Sequence, residues 1–358
     1  MYNVAIIGCG RISHKIVEGV AKNNDRMKLV VLCDPIEEKM FETEKTYNKK
    51  VEKENTILKY KDYKEILKEN KIDIAIISTE SGYHEEIGLY FLENGVNLII
   101  EKPLAMSIEG AQKLVDTAKK NNLKLAASHQ NRFNYPIQLL KKAIKENRLG
   151  RIFNGMARIL WTRDDNYYLQ APWRGTWALD GGTLMNQCIH NIDLINWMMD
   201  DEIDTVYAQT SNYIRNIEAE DYGVILIRYK SGKIATIEGS AIIYPKNLEE
   251  TLTVTGEKGT VVIGGMAVNK INTWRVEGDN EQEYLSIDCG DPNSVYGYGH
   301  EALYKDFVDA LDENREPLVN GIAGLNAVKI ILAAYKSQKT GMAIKFDEFL
   351  KFSTVDMV

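Results

Sequence analysis

The sequence is poor in the signals that would place it in the simplest function classes. Its four cysteines, Cys9, Cys33, Cys188 and Cys289, are widely spread and form no CxxC pair. That excludes a zinc knuckle or a disulfide framework and fits a reducing compartment. Positive charge is in deficit: 44 Lys and Arg face 51 Asp and Glu, a net charge of −7 with a pI of about 5.5. No overall positive field gathers a nucleic-acid backbone, so the expected partners are small molecules, with neither nucleic acid nor membrane among them. No apolar run approaches transmembrane length, and Met1-Tyr2-Asn3 enters Val4-Ala5-Ile6-Ile7 with no basic n-region or cleavage site. A cytoplasmic protein is therefore expected. Repeats, low-complexity tracts and clear flexible linkers are also missing. What remains is ordinary globular composition, 44% hydrophobic and 27% charged, over 358 residues, a length that suggests two domains.

The first third alternates short apolar runs with longer amphipathic stretches, the pattern of parallel strands joined by crossover helices. Candidate strands are Val4 to Ile7, Leu29 to Cys33, Ile74 to Ser78, Leu98 to Ile100 and Leu125 to Ala127. Helices are expected after Arg11, Pro35, Gly82, Ser107 and Asn134, with the Ser107 hydroxyl as an N-cap. The Lys- and Glu-rich stretch from Glu37 to Asn70 reads as the wet face of helices. After Gly150 the pattern changes to long strand-like stretches, with Lys230-Ser231-Gly232-Lys233 and Gly256-Glu257-Lys258-Gly259 as hairpin turns. One long helix, Thr183 to Met199, interrupts the strands, and two more close the chain around Glu301 to Leu311 and Gly324 to Lys339. The fold class is α/β: a doubly wound parallel sheet over residues 1–128, then an α+β domain with a large, mainly antiparallel open sheet over 129–358.

Gly8-Cys9-Gly10-Arg11-Ile12-Ser13 lies between the first strand and the first helix, where small residues let backbone amides and a helix N-terminus approach a pyrophosphate. The third glycine of the usual fingerprint is replaced by Ser13. The next strand ends at Asp34, whose carboxylate suits adenosine ribose hydroxyls; its plainer role is a helix N-cap before Pro35. Asp34 repels a 2′-phosphate and Pro35-Ile36 supply no arginine, so NAD is preferred over NADP. Strand, loop and acid in this order make a Rossmann reading.

Glu101-Lys102-Pro103 follows a strand at the carboxyl edge of the sheet, where open α/β sheets place their ligands. A lysine there can act as acid or base, or stabilise an alkoxide as hydride leaves carbon; a surface lysine in a turn is the alternative. On the expected long helix, Asn186, His190 and Asp193 fall at i, i+4 and i+7, one face, with the imidazole placed to take a hydroxyl proton, the amide to hold a hydroxyl, and the carboxylate to set the tautomer. A core histidine is the plainer reading of His190. One histidine, one carboxylate and one amide are a poor zinc set, and no metal is expected. The stretch from Trp161 to Trp177 holds three of five tryptophans with Arg163 and Arg174, which suits either a binding loop or packing against the sheet.

Together, Gly8-Cys9-Gly10-Arg11-Ile12, Asp34, Glu101-Lys102-Pro103 and Gly181-Gly182 leading to His190 and Asp193 resemble the Gfo/Idh/MocA family of NAD(P)-dependent sugar oxidoreductases over essentially the whole chain. A narrower resemblance, to the family's UDP-N-acetylglucosaminuronic acid 3-dehydrogenases, is carried by Gln130-Asn131-Arg132, Phe153 to Tyr168, Trp173 to Trp177, Leu184-Met185-Asn186-Gln187, Tyr244 to Glu249 and Ser294 to His300. The resemblance implies Lys102 and His190 as the acid/base pair at the sugar. It implies Asn186, Arg163 and Tyr167 on the substrate, and Gly8, Gly10, Arg11, Ile12, Asp34, Ser78, Thr79, His84, Glu101, Lys102 and Gln130 at NAD. It further implies a homotetramer formed through the open sheet and recycling of NADH by 2-oxoglutarate. Asn186 stands where many members carry aspartate, Glu80 where proline is common, and Cys188 where a smaller residue is common. Left open are another sugar or inositol as substrate, the family's NAD-using glycosidase branch, and a non-catalytic NAD-sensing role.

Overall fold

The computed structural model describes residues 1–290 and 297–358, which form two compact units: Met1–Ser128 with His300–Leu325, and His129–Gly299 with Asn326–Val358. Of the segment Ser294 to His300, residues Ser294, Val295 and Tyr296 lie outside the described residues.

In the first unit the elements are β1 (Tyr2–Ile7), α1 (Ser13–Lys22), β2 (Met27–Cys33), α2 (Glu37–Val51), β3 (Leu58–Tyr60), the short α3 (Ile66–Glu69), β4 (Ile74–Ile77), α4 (His84–Glu93), β5 (Asn97–Ile100), α5 (Ile108–Lys120) and β6 (Leu125–Ala127). The six strands are parallel in the order β3-β2-β1-β4-β5-β6, the doubly wound arrangement expected. All four residues of β4 are buried, as a strand covered on both faces requires of an unbroken apolar run. Ser107 caps α5, its Oγ accepting the Gly110 amide at 2.9 Å. The later segment returns to this sheet: the Ala127 amide donates to the Val319 carbonyl at 3.1 Å, and Ala126 bridges Asn320.

The second unit contains α6 (Tyr135–Lys145), β7 (Ile152–Leu160), α7 (Asp165–Leu169), α8 (Thr183–Asn186), α9 (Ile189–Met199), β8 (Ile203–Ser211), β9 (Tyr222–Tyr229), β10 (Ile234–Ser240), β11 (Glu249–Gly256), β12 (Gly259–Gly264), β13 (Lys270–Val276) and α10 (Glu281–Leu285). Then come α11 (Gly299–Asp312) and α12 (Gly321–Thr340), each including residues of both units, and β14 (Ile344–Lys345). The eight strands run β13-β12-β11-β7-β10-β9-β8-β14, antiparallel except for the parallel pair β7–β10. Both expected turns join neighbours, Lys230 to Lys233 between β9 and β10 and Gly256 to Gly259 between β11 and β12. Residues of β9 alternate buried and exposed, the mark of a sheet covered on one face.

One expectation is corrected here. Thr183 to Met199 is not a continuous helix: α8 ends at Asn186, and α9 starts at Ile189. The Thr183 carbonyl accepts the amides of both Gln187 and Cys188, at 2.9 and 3.0 Å, so the first helix closes with a widened i→i+5 turn.

Candidate active site

In the first unit β1 runs into Gly8 at φ +93°, where a Cβ would lie 2.6 Å from the backbone carbon and oxygen of Ser78. Only glycine fits there, because both the positive φ and the neighbouring strand end exclude a side chain. Ser78 Oγ donates to the Gly8 carbonyl at 2.8 Å and ties the two loops together. A Cβ at Gly10 would meet nothing within 4 Å, so the turn leaves open space beside the start of α1, whose amides receive no side-chain cap. Arg11 is exposed and Ile12 half-buried in the same turn. Asp34 is buried at the end of β2; its Oδ2 accepts the Cys9 amide at 2.8 Å and its Oδ1 the Ile36 amide at 2.9 Å. The carboxylate is therefore both a local cap and the anchor of the glycine loop, and each oxygen retains lone-pair capacity for a ribose hydroxyl. Open turn, uncapped helix start and anchored acid together fit NAD.

The neighbouring strand ends carry the rest. Thr79 Oγ1 donates to the Glu80 carbonyl at 3.3 Å, and Glu80 has φ −60°, the value proline enforces, so the loop is extended there without it. His84 is buried with Nδ1 2.8 Å from the Pro103 carbonyl and Nε2 3.2 Å from the Thr79 carbonyl, which clamps two strand-end loops; burial lowers its pKa. Burial raises the pKa of Glu101, partly offset by the adjacent Lys102 charge. Lys102 itself is half-buried, immediately before the cis Lys102–Pro103 bond.

The second unit holds Gln130, buried at the start of a 3₁₀ turn, and the segment Asp180 to Asp193. Two readings of that segment change. Asn186 does not share a helix with His190 and Asp193; its amide donates to Asp180 and its Oδ1 accepts from Gln187 Nε2 at 2.8 Å. Nor is Asp193 the partner of His190 in the hydrogen-bond pattern: Arg132 takes both its oxygens, at 2.7 and 2.6 Å, with both side chains buried. Arg132 was visible only as part of a motif, and its fork matches the carboxylate bidentately. His190 lies beside His129, with Nδ1 to Nδ1 3.5 Å and the rings edge-to-face at 5.6 Å.

Arg163, Tyr167 and Asn186 come together. The Arg163 guanidinium lies 4.7 Å from the Trp161 ring and 5.4 Å from Tyr167, and its Nε donates to Gln187 Oε1 at 3.0 Å. Gln187 Nε2 donates to the Tyr167 hydroxyl at 3.0 Å. Arg174 donates to the same hydroxyl at 2.5 Å and stacks between Tyr167 and Trp173, 4.3 and 4.7 Å away. Asp164 caps α7 by accepting the Tyr167 amide at 2.9 Å. Of the aromatic segment, Trp161 packs into the core, whereas Trp173 and Trp177 are half-buried.

At the start of α8 lies Glu220, which sequence spacing did not single out. It is buried, and burial pushes its pKa up to about 8. Its Oε1 accepts the Leu184 amide at 2.8 Å and the Tyr335 hydroxyl at 3.1 Å, while its main-chain carbonyl accepts the Thr183 amide at 2.9 Å. A Cβ at Gly182 would collide with the Glu220 carboxylate, which gives the second glycine of Gly181-Gly182 its physical reason. Cys188 is buried against Gly239 of β10.

Residues 2–129 match the family model for an oxidoreductase NAD-binding Rossmann fold, and residues 141–346 match the model for the same family's C-terminal alpha/beta domain. The chain belongs to the Gfo/Idh/MocA oxidoreductase family. It is an NAD-dependent oxidoreductase acting on CH–OH groups. Among solved members, the WlbA dehydrogenase from Bordetella pertussis in complex with NADH and UDP-GlcNAcA is 32% identical, with a TM-score of 0.85 over 96% of this chain and 98% of that one. The WlbA dehydrogenase from Chromobacterium violaceum, bound to the same two molecules, is also 32% identical at a TM-score of 0.85, over 96% and 95%. A curated member, the myo-inositol 2-dehydrogenase of Thermotoga maritima, is 24% identical over 97% of this chain and 99% of its own length.

Proposed function

We propose that this Gfo/Idh/MocA enzyme oxidises the C3 hydroxyl of UDP-N-acetylglucosaminuronic acid to the 3-keto sugar. The observation that carries this reading is the pair of UDP-GlcNAcA-bound relatives at 32% identity over nearly the whole chain, above the 24% of the inositol dehydrogenase. Bound NAD supplies the hydride acceptor. Gly8, Gly10, Arg11, Ile12 and Asp34 hold its pyrophosphate and ribose end, and Ser78, Thr79, His84, Glu101, Lys102 and Gln130 serve the nicotinamide end. Lys102 and His190 share removal of the hydroxyl proton and stabilisation of the alkoxide, a contribution of about 10²- to 10⁴-fold. Asn186 holds a hydroxyl or the acetamido group, while Arg163 and Tyr167 serve the carboxylate or the phosphates, anions that a guanidinium binds well. The same reading has the enzyme as a cytoplasmic homotetramer, residues 1–128 as its NAD domain and 129–358 as its substrate and oligomerisation domain, with NADH recycled by 2-oxoglutarate in place.

An absorbance spectrum of the purified protein tests it, before and after UDP-N-acetylglucosaminuronic acid and again after 2-oxoglutarate. A reduced-nicotinamide band that rises with the sugar and fades with the oxoacid is the expected result. No band with that sugar, in protein shown to bind NAD, rejects the substrate and directs attention to inositols and other sugars.

A further inference from the structure

Gln187 is 8% exposed and makes one hydrogen bond to each of three side chains that the proposed function puts on the substrate. Its Oε1 accepts from Arg163 Nε at 3.0 Å; its Nε2 donates to the Tyr167 hydroxyl at 3.0 Å and to Asn186 Oδ1 at 2.8 Å. A primary amide has two N–H donors and a carbonyl, and here both ends of the group are used at once, which fixes its orientation. The position in the chain makes this possible: Gln187 is the C-cap residue of α8, where the chain breaks before α9, so its side chain meets Arg163 and Tyr167 rather than following a helix face.

The consequence reaches each partner. Accepting from Gln187 commits Asn186 Oδ1 and leaves the Asn186 amide nitrogen as the donor end, turned toward Asp180. The Tyr167 hydroxyl receives two donors, from Gln187 and Arg174, so its lone pairs are taken and its proton points elsewhere. Arg163 is aimed through a neutral oxygen, so this contact orders the guanidinium without adding negative charge beside it.

We infer that Gln187 is a positioning and specificity-determining residue, which holds Arg163, Tyr167 and Asn186 as one array for an anionic sugar substrate. The inference rests on the substrate reading above. A carboxylate at position 187 keeps the acceptor for Arg163, loses both donors and sets a negative charge against an incoming anion. Gln187→Met keeps volume and neutrality but loses all three bonds.

Steady-state kinetics of wild type, Q187E and Q187M test this with UDP-N-acetylglucosaminuronic acid, alongside myo-inositol as a neutral polyol and NADH binding by fluorescence. Q187E is expected to raise KM for the nucleotide sugar at least tenfold, with kcat changed less than about threefold; Q187M raises it less than Q187E. NADH affinity and melting temperature stay within error of wild type. Those last readouts separate positioning from a general structural role, which would move all of them together. Wild-type turnover of the nucleotide sugar with an unchanged KM in Q187E overturns the role of Gln187 alone. Wild-type turnover of the neutral polyol but not of the nucleotide sugar overturns both the substrate reading and the inference built on it.

Discussion

Replacing Glu220 by glutamine should alter the pH dependence of stability in a way that isolates one buried acid. Burial raises its pKa from an ordinary 4.5 to about 8. The folded protein then keeps a proton that the unfolded chain releases, and stability falls as pH rises between these two values. Each pH unit in that window costs about 1.4 kcal/mol, so moving from pH 5 to pH 7.5 removes about 3 kcal/mol from the wild type. The amide of the E220Q variant would keep an acceptor oxygen for the Leu184 amide and the Tyr335 hydroxyl and would not titrate. Glu250, also buried and pushed up to about 8, titrates in both proteins and cancels from the comparison. Thermal unfolding of wild type and E220Q at half-unit pH steps measures the difference. With roughly 2–4 °C of melting temperature per kcal/mol for a unit of this size, the wild-type midpoint should drop by about 6–12 °C more than that of E220Q. Parallel profiles would refute the argument and mean that Glu220 is ionised in the folded protein.

Other perturbations have equally direct readouts. Lys102→Ala and His190→Ala should each lower kcat by about 10²- to 10⁴-fold, with NAD binding by fluorescence titration intact in His190→Ala and retained but weaker in Lys102→Ala, which also loses a contact at the nicotinamide end; a near-native rate removes that residue from the chemistry. Asp34→Ala removes an anchor of the glycine loop as well as the ribose acceptor, and should weaken NAD binding roughly tenfold to a hundredfold by calorimetry. Arg132→Met leaves the Asp193 carboxylate buried without its bidentate partner. Breaking such a pair costs about 3–5 kcal/mol, measurable as a lower urea midpoint.

How much of this was legible in the sequence depends on how local the cause is. The Ser107 cap and the Asp34 cap on the Ile36 amide could be read directly, because each is a backbone requirement met two or three positions away, and the glycine loop because it is a short contiguous motif. The pattern of apolar runs likewise foretold a doubly wound parallel sheet followed by a large, mainly antiparallel one. Helical spacing failed at Asn186, His190 and Asp193. The spacing argument assumes an unbroken helix, whereas the chain breaks after Asn186, and Asp193 is engaged by Arg132, 61 residues earlier. Gln187 was visible only as the polar neighbour of Asn186; nothing in its spacing says that it bonds Arg163 and Tyr167.

By itself, then, the sequence determined the two kinds of sheet, the dinucleotide loop and the family, since these follow from periodicity and short motifs. Tertiary structure alone decided that β7 and β10 run parallel, that Glu220 lies beneath Gly182, and that residues 300–325 pack with the first unit. The physical reason is the same in each case. Partners tens to hundreds of residues apart are chosen by burial and by the need to satisfy buried polar groups, and neither leaves a periodic trace in the chain.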